Sequence, residues 1–210
     1  MPKTILFDLD GTLTDSSEGI IKCSLHALSH YGIEIPDGKQ NLLIGPPLRY
    51  IFALFGVPEN EVENALARYR ERYRTVGKFE NRPYDNIEKV LITLKAAGHR
   101  LFVATSKPES LSVEILDHFG LSKYFEAICG ATFDKSRDSK QAVIQYLLDT
   151  HKVEGEVIMV GDTVFDIEGA AALNIPTVCV SWGFGEKSEL LAKGAEKVVD
   201  TMDELIEILH

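Results

Sequence analysis

The fold is decided by the stretch Thr4-Ile5-Leu6-Phe7-Asp8-Leu9-Asp10-Gly11-Thr12. An apolar run that ends in two carboxylates and a glycine turn is typical of a buried parallel strand that reaches the carboxyl edge of a sheet. Side chains at positions i and i+2 of a strand share a face, so we expect Asp8 and Asp10 to point into one site. Asp-x-Asp-Gly on its own is equally compatible with a strand-end turn in which an Asp side chain caps the backbone.

Strands and helices are predicted to alternate along most of the chain. Apolar, β-branched runs that end in small or acidic residues predict strands at 4–10, 100–106, 156–162 and 176–182, and more weakly at 127–130 and 197–200. Helical periodicity predicts helices at 84–97, 109–119, 139–150, 167–173 and 203–209. This order indicates an α/β protein with a Rossmann-like, mostly parallel sheet and helices on both faces.

One long segment lacks this alternation. Residues 16–81 show helical patterns at 17–31, 47–55 and 59–76 and no convincing strand. The sequence therefore predicts an α/β core made of residues 1–15 and 82–210. An all-helical cap, residues 16–81, is inserted after the first strand on the side where the carboxylates emerge.

Composition narrows the classes of partner. The 210-residue chain has a formal net charge of −10 and no Lys/Arg-rich run, which argues against a nucleic-acid polymer as ligand. The longest apolar stretch, 42–56, is interrupted by prolines and an arginine, so no membrane partner is expected. Three scattered cysteines and an N-terminus without signal-peptide character favour a cytoplasmic protein. Either a monomer or a homodimer is compatible with the sequence.

Three further groups of polar residues fall at predicted strand ends or helix starts. The hydroxyl of Thr105 and the amide of Ser106 are placed to donate to a phosphate oxygen near a helix N-terminus, although Ser and Thr are also common helix caps. Lys140 begins a predicted helix, where a cation is unfavourable unless it has an anionic partner. Asp162 and Asp166 offer oxygen ligands for Mg²⁺, but Asp166 also fits the N-cap of a helix that starts at Ile167. Because parallel strands end at one edge, all of these groups are expected to converge on one crevice.

These motifs, in this order, resemble those of the haloacid dehalogenase superfamily in its phosphatase branch. The likeness spans the whole chain, and the helical insertion resembles the cap of the subgroup that contains phosphoglycolate phosphatases, β-phosphoglucomutases, pyrophosphatases and some nucleotidases. Thr105-Ser106-Lys107-Pro108 and Ser181-Trp182-Gly183-Phe184-Gly185 resemble phosphoglycolate-phosphatase-like members most. Lys140 resembles the third-motif lysine, and Lys135 is the alternative because the stretch 134–140 departs from the usual Lys-Pro pattern.

The resemblance implies a mechanism and a set of ligands. Asp8 is the implied nucleophile, which becomes an aspartyl phosphate, and Asp10 is the implied acid and base. Mg²⁺ is implied to be held by Asp8, the backbone carbonyl of Asp10, Asp162 and Asp166. Thr105, Ser106 and Lys140 are implied to bind the transferred phosphate, whose uncatalysed hydrolysis is extremely slow.

The expected activity is Mg²⁺-dependent hydrolysis of small phosphate monoesters, such as phosphoglycolate-like acids or nucleoside 5′-monophosphates. Arg49 and Lys78 in the helical insertion are candidates to pair with an anionic group of the substrate, or are ordinary solvated charges. Three alternatives remain at this point. They are a phosphomutase, which needs the same four motifs, a phospho-accepting signalling module, and a purely structural or interaction protein. The physiological substrate is not specified by the sequence.

Overall fold

The computed structural model describes residues 2–210. The chain divides into two compact units, the first made of residues up to Asp15 together with Pro83–His210, and the second made of Ser16–Arg82. The strands, in chain order, are β1 (Thr4–Phe7), β2 (Thr14–Asp15), β3 (Arg82–Pro83), β4 (Arg100–Pro108), β5 (Ala127–Ala131), β6 (Val157–Gly161), β7 (Thr177–Val180) and β8 (Lys197–Val199).

Six of these strands form the sheet of the first unit, in the order β5-β4-β1-β6-β7-β8. Each neighbouring pair is parallel, as the sequence predicts. The first strand lies in the middle, with β4 on one side and β6 on the other. The strand order therefore reverses direction at β1, and the carboxyl end of such a switch point is where α/β sheets bind ligands.

Helices cover both faces of this sheet. In chain order, the helices of the protein are α1 (Ser17–Ser29), α2 (Leu48–Leu54), α3 (Val62–Thr75), α4 (Ile87–Ala96), α5 (Glu109–His118), α6 (Lys140–His151), α7 (Val164–Ala171), α8 (Lys187–Ala192) and α9 (Met202–Leu209). Ile5 and Phe7 pack with α4, α5 and α9, whereas Leu6 packs with α6 and α7. Successive residues of β1 thus enter two separate cores, which explains why the strand is apolar at each position from Ile5 to Phe7.

The second unit is helical, as the sequence predicts for this segment. Its helices are α1, α2 and α3, and short 3₁₀ turns lie at Asp37–Leu43, Glu59–Glu61 and Gly77–Phe79. Gly19 of α1 approaches the last of these turns so closely that an added Cβ would lie 2.1 Å from the carbonyl oxygen of Gly77. Arg72 closes the unit on the same side with two hydrogen bonds to Glu80, at 2.6 and 3.0 Å.

Several boundaries differ from the sequence-based prediction. The helix expected at 59–76 starts with a 3₁₀ turn and becomes α-helical at Val62. The strand expected to end at residue 106 continues to Pro108, and α8 was not predicted at all. Within residues 2–210, no helix combines the length and the apolar character that a membrane span requires.

Candidate active site

The carboxyl edge of the sheet brings together side chains from distant parts of the first unit. Asp8 directly follows β1, Thr105 lies in β4, and Asp162 directly follows β6. Asp8, Asp162 and Thr105 are all buried. Because β1 has β4 and β6 as its neighbours, the strand order alone places these three residues side by side.

Lys140 lies between two of the carboxylates. Its Nζ atom is 2.7 Å from Oδ1 of Asp8 and 2.7 Å from Oδ1 of Asp166, and it donates a 3.0 Å hydrogen bond to the carbonyl oxygen of Ala104. The lysine is the first residue of α6 and is only 6% exposed. Gly169 of α7 makes room for its stem, since a Cβ there would lie 2.6 Å from Cβ of Lys140.

Lys140 and Asp8 have shifted pKa values. Burial lowers the pKa of Lys140, but the negative charges of Asp166 and Asp8 outweigh it and leave the pKa raised. Burial raises the pKa of Asp8 to about 6, against the lowering effect of Lys140 and of hydrogen bonds from Lys140 and Thr105. A carboxyl group with this pKa is mostly ionised at neutral pH, and the ammonium beside it keeps the buried pair electrically balanced.

Asp162 is held from two sides. Its Oδ1 accepts a 3.0 Å hydrogen bond from the hydroxyl of Thr12, and its Oδ2 accepts a 2.9 Å hydrogen bond from the amide of Phe184. Burial and the charges of Asp166 and Asp8 raise the pKa of Asp162 well above its ordinary value. Three acidic groups in one buried place repel one another unless a cation lies among them.

Asp166 is not the N-cap of the helix that follows, so this sequence-based alternative is wrong. The helix starts earlier, at Val164, and Thr163 is the N-cap. Asp166 is the third helical residue, and its Oδ2 accepts hydrogen bonds from the amide and hydroxyl of Thr163 and from the amide of Asp162, at 2.9 to 3.2 Å. Its Oδ1 lies against the ammonium of Lys140. One carboxylate therefore both bonds the N-cap residue Thr163 and pairs with Lys140.

Asp10 has a partner that the sequence analysis did not single out as a site residue. Its Oδ2 forms an ion pair with the ammonium of Lys107, whose side chain is 7% exposed. Oδ1 of Asp10 is buried and accepts no hydrogen bond from the part of the chain that the structure describes. The two carboxylates of the first motif therefore each have their own lysine, Lys140 for Asp8 and Lys107 for Asp10.

The continuation of β4 places Ser106 within a strand. The helix α5 begins at Glu109, as the sequence predicts, but β4 runs on to Pro108, so the amide of Ser106 belongs to the strand and not to a helix N-terminus. The side chain of Ser106 is exposed, whereas Thr105 is 2% exposed and accepts a 3.3 Å hydrogen bond from the amide of Lys107. The strand register shifts between Thr105 and Pro108, which is where the edge of the site lies.

The remaining predicted residues lie away from this group or in the other unit. Lys135 is exposed, with a backbone φ of 62°, and lies in the loop before Lys140. Within the second unit, Arg49 is exposed and paired with the carboxylate of Glu63. Lys78 is 9% exposed, and its ammonium lies 5.0 Å from the ring centroid of Phe79.

The donor atoms fit a hard divalent cation. One carboxylate oxygen from each of Asp8, Asp162 and Asp166 lies within 4.8 Å of the others. Carboxylate oxygens are the ligands that Mg²⁺ and Ca²⁺ prefer. Burial and the repulsion by Asp166 and Asp8 together raise the pKa of Asp162. A bound cation would relieve the repulsion, so the charge balance of the site agrees with its donor set.

Sequence reasoning missed the loop that follows β7 as part of the site. The amide of Phe184 contacts Asp162, and the indole Nε1 of Trp182 donates a 3.2 Å hydrogen bond to the carbonyl oxygen of Thr12. Backbone amides and glycines carry no chemical signature, so only the Gly-x-Gly spacing of Gly183 and Gly185 pointed to a close approach.

Comparison with known proteins identifies the family. The haloacid dehalogenase-like hydrolase family matches residues 5–180. The chain therefore belongs to the haloacid dehalogenase-like hydrolases, as its four motifs indicate. Its fold class is confirmed by a solved structure, a predicted phosphatase from Clostridium acetobutylicum, which has a TM-score of 0.92 and 40% identity and covers 100% of this chain and 98% of the other.

Named relatives differ in activity. A 5′-nucleotidase from Pseudomonas aeruginosa is 42% identical over 90% of this chain and 86% of its own length. The tyrosine-protein kinase PtkA of Mycobacterium tuberculosis is 41% identical over 99% of this chain and 72% of its own length. A phosphoglycolate phosphatase from Agrobacterium fabrum is 34% identical over 85% of this chain and 80% of its own length. All three names describe chemistry on phosphate groups, but the reaction and the substrate that they name differ.

Proposed function

We propose that this protein is a Mg²⁺-dependent phosphohydrolase that cleaves small soluble phosphate monoesters through an aspartyl phosphate on Asp8. The observation that carries the proposal is the buried Asp8 carboxylate, which lies 2.7 Å from Lys140 and within 4.8 Å of the Asp162 and Asp166 oxygens. A carboxylate in this setting is ionised and held at one orientation. It can therefore attack phosphorus with little loss of conformational freedom.

The first chemical step uses both carboxylates of the first motif. One Asp8 oxygen forms a bond to phosphorus while the bond from phosphorus to the ester oxygen breaks. Asp10, in its protonated form, gives its proton to the departing alkoxide. In the second step Asp10, now ionised, takes a proton from water, which attacks phosphorus and releases Asp8 and inorganic phosphate.

The charged phosphate oxygens need compensation throughout. Lys140 supplies a fixed positive charge beside the nucleophile, and the Thr105 hydroxyl and Ser106 amide are proposed to donate to phosphate oxygens. Removing single donors of this kind typically lowers kcat by about 10² to 10³-fold.

Mg²⁺ would be held by Asp8, Asp162, Asp166 and the carbonyl oxygen of Asp10. When bound, it would offset the repulsion between the nucleophile and the phosphate.

The test of this proposal is the near-isosteric substitution Asp8→Asn. Asn cannot act as the nucleophile, so turnover of p-nitrophenyl phosphate should fall by at least about 10⁴-fold, in the range known for loss of a nucleophile. Asp117→Asn is the matched control, because Asp117 is exposed on α5. Turnover of the Asp8→Asn protein at the rate of the control would remove Asp8 as the nucleophile.

Product analysis separates hydrolysis from phosphoryl transfer to another acceptor. A hydrolase releases one inorganic phosphate for each ester consumed. A phosphomutase forms an isomeric sugar phosphate instead, and a signalling module or a protein kinase leaves the phosphoryl group on a protein side chain. Asp10 can activate water against the aspartyl phosphate, which favours hydrolysis over a signalling module. A phosphomutase needs the same four motifs, so the products alone separate it from a hydrolase.

We further propose that the helical unit selects the substrate, through Arg49 and Lys78. Arg49 is exposed, and its partner Glu63 is exposed as well, so their pair is easily exchanged for a substrate anion. Arg49→Ala should raise KM for an acidic ester such as phosphoglycolate more than for p-nitrophenyl phosphate. Glu63→Gln, which frees the arginine, should not raise either KM. Equal effects of Arg49→Ala on the two substrates would deny this role.

A further inference from the structure

The segment Trp182–Gly185, which follows β7, packs directly against Asp162. The amide of Phe184 donates to Oδ2 of Asp162 at 2.9 Å. At Gly183, an added Cβ would lie 2.3 Å from Cβ of Asp162 and 2.5 Å from its Oδ2. At Gly185, it would lie 2.1 Å from the backbone oxygen of Asp162. The segment therefore touches the backbone, the Cβ atom and the carboxylate of one residue.

These two glycines are required by space and not by backbone conformation. Neither Gly183 nor Gly185 has a positive φ, so an L-residue could adopt the backbone at both positions. A side chain is excluded because its Cβ atom would lie much closer to Asp162 than real Cβ atoms come to neighbouring atoms. The second glycine is further confined by Leu190, whose Cδ2 would lie 3.2 Å from the added atom.

The opposite side of the Asp162 carboxylate is closed by the first-motif turn. Thr12 donates to Oδ1 at 3.0 Å, and a Cβ on Gly11 would lie 2.1 Å from Oδ2. The two walls are also joined to each other. Trp182 Nε1 bonds the carbonyl oxygen of Thr12, and a Cβ on Gly183 would lie 2.5 Å from the carbonyl oxygen of Gly11.

We propose that the Trp182–Gly185 segment is a positioning element that fixes the Asp162 carboxylate for divalent-cation binding. Its two glycines set how closely the loop approaches, and its amide fixes one carboxylate oxygen. The inference rests on the proposed function in one respect, that Asp162 is a ligand of the cation. Groups that orient a ligand without touching the metal typically change metal affinity by about 10 to 100-fold when they are altered.

Gly183→Ala and Gly185→Ala test the proposal by displacing Asp162 without changing any polar group. Each should weaken Mg²⁺ binding by about 10 to 100-fold. Because Lys140 and Thr105 are not displaced, KM for p-nitrophenyl phosphate at saturating Mg²⁺ should stay close to that of the unaltered protein. Gly38→Ala is the matched control, since Gly38 has no atom within 4 Å of an added Cβ and no positive φ.

Mg²⁺ affinity is measured by calorimetry on the intact chain without substrate, and KM and kcat are measured across a Mg²⁺ series. Thermal melting of each metal-free variant shows whether it is folded. Folded Gly183→Ala and Gly185→Ala proteins that bind Mg²⁺ like Gly38→Ala would overturn the inference. So would a loss of kcat at saturating Mg²⁺ with unchanged Mg²⁺ affinity, since that indicates a general packing defect.

Trp182→Phe serves if the alanine proteins do not fold, because it removes the hydrogen bond that joins the segment to the carbonyl oxygen of Thr12 and keeps an aromatic ring. Weaker Mg²⁺ binding by the Trp182→Phe protein than by Gly38→Ala would support the positioning role of the segment, and equal binding would overturn it. Failure of the proposed function looks different, because then the unaltered protein itself neither binds Mg²⁺ nor hydrolyses the ester.

Discussion

Nζ of Lys140 lies 2.7 Å from Oδ1 of Asp166, a carboxylate with no exposed surface. The same ammonium is 2.7 Å from Asp8. Two buried negative charges thus share one buried positive charge, and the two carboxylates have little or no contact with water. Removing one member of such a buried group is far more costly than removing a surface pair, because the remaining charges stay in a medium that solvates them poorly.

Lys140→Met should therefore lower both stability and activity. We expect the free energy of unfolding to fall by about 3 to 5 kcal/mol and turnover of p-nitrophenyl phosphate to fall by at least about 10²-fold. Urea denaturation and initial rates at saturating Mg²⁺ measure the two effects. Lys135→Asn is the control, because Lys135 is exposed and Asn tolerates its positive φ. A loss of activity in the control instead would assign the role to Lys135.

Removal of divalent ions should abolish activity reversibly. The Asp8, Asp162 and Asp166 oxygens repel one another, so EDTA should inactivate the protein and Mg²⁺ should restore it. Mg²⁺ at about 100 times its Kd should also stabilise the fold by about 2.7 kcal/mol, seen as a rise in Tm. The rise should persist in Asp117→Asn and disappear in Asp162→Asn. Full activity in metal-free buffer contradicts this prediction.

Lys107 is expected to hold Asp10 in place for proton transfer. In Lys107→Met the ion pair with Asp10 is lost, and a displacement of the carboxylate by about 1 Å would lower kcat by about 10²-fold. KM should change much less, and Lys107→Arg should recover part of kcat. Lys89→Ala, which removes an exposed pair with Asp203, is the control. If KM rises while kcat is kept, Lys107 binds substrate and does not position Asp10.

The helical unit should show an acid-sensitive contribution from Glu80. Hydrogen bonds from Arg72 lower the pKa of Glu80 below its usual 4.5, so the pair stabilises the protein above that pH. This stability should be lost as pH falls through the folded-state pKa of Glu80. Glu80→Gln should cost about 1 to 2 kcal/mol at pH 7, measured by urea denaturation. The difference should shrink below pH 4.5, whereas Glu63→Gln, on an exposed pair, should cost little at any pH.

Much of the fold and the acidic residues of the site could be predicted from the sequence. The strands that precede Asp8 and Asp162 are apolar from Ile5 to Phe7 and from Val157 to Val160, and burial on both faces of a parallel sheet demands that pattern. Lys107 was not expected as a partner of Asp10, because the strand was predicted to end at residue 106. Once β4 is seen to continue to Pro108, Lys107 lies two residues beyond Thr105, at strand spacing from it.

The parts of the site that were missed depend on close approach between backbones. Nothing in the composition of residues 182–185 states that Phe184 donates its amide to Asp162 or that Gly183 faces Gly11. Those contacts exist because β7 lies beside β6 in the sheet. This pairing belongs to the tertiary structure and is not visible in the local sequence. Similarly, the sequence left open whether Asp166 is a metal ligand or an N-cap, because helix starts are uncertain by a few residues when several capping residues follow one another.

The central position of β1 also governs when this site can exist. Its neighbours β4 and β6 are contributed by segments far along the chain, and Lys140 and Asp166 come from helices that flank β6. Parallel pairings between such distant segments form slowly, because closing a long loop costs conformational entropy before any stabilising contact can form. During synthesis, β1 can therefore pair only after β4 and β6 have been made. The group of Asp8, Lys140 and Asp166 would assemble only after the chain has emerged beyond Asp166.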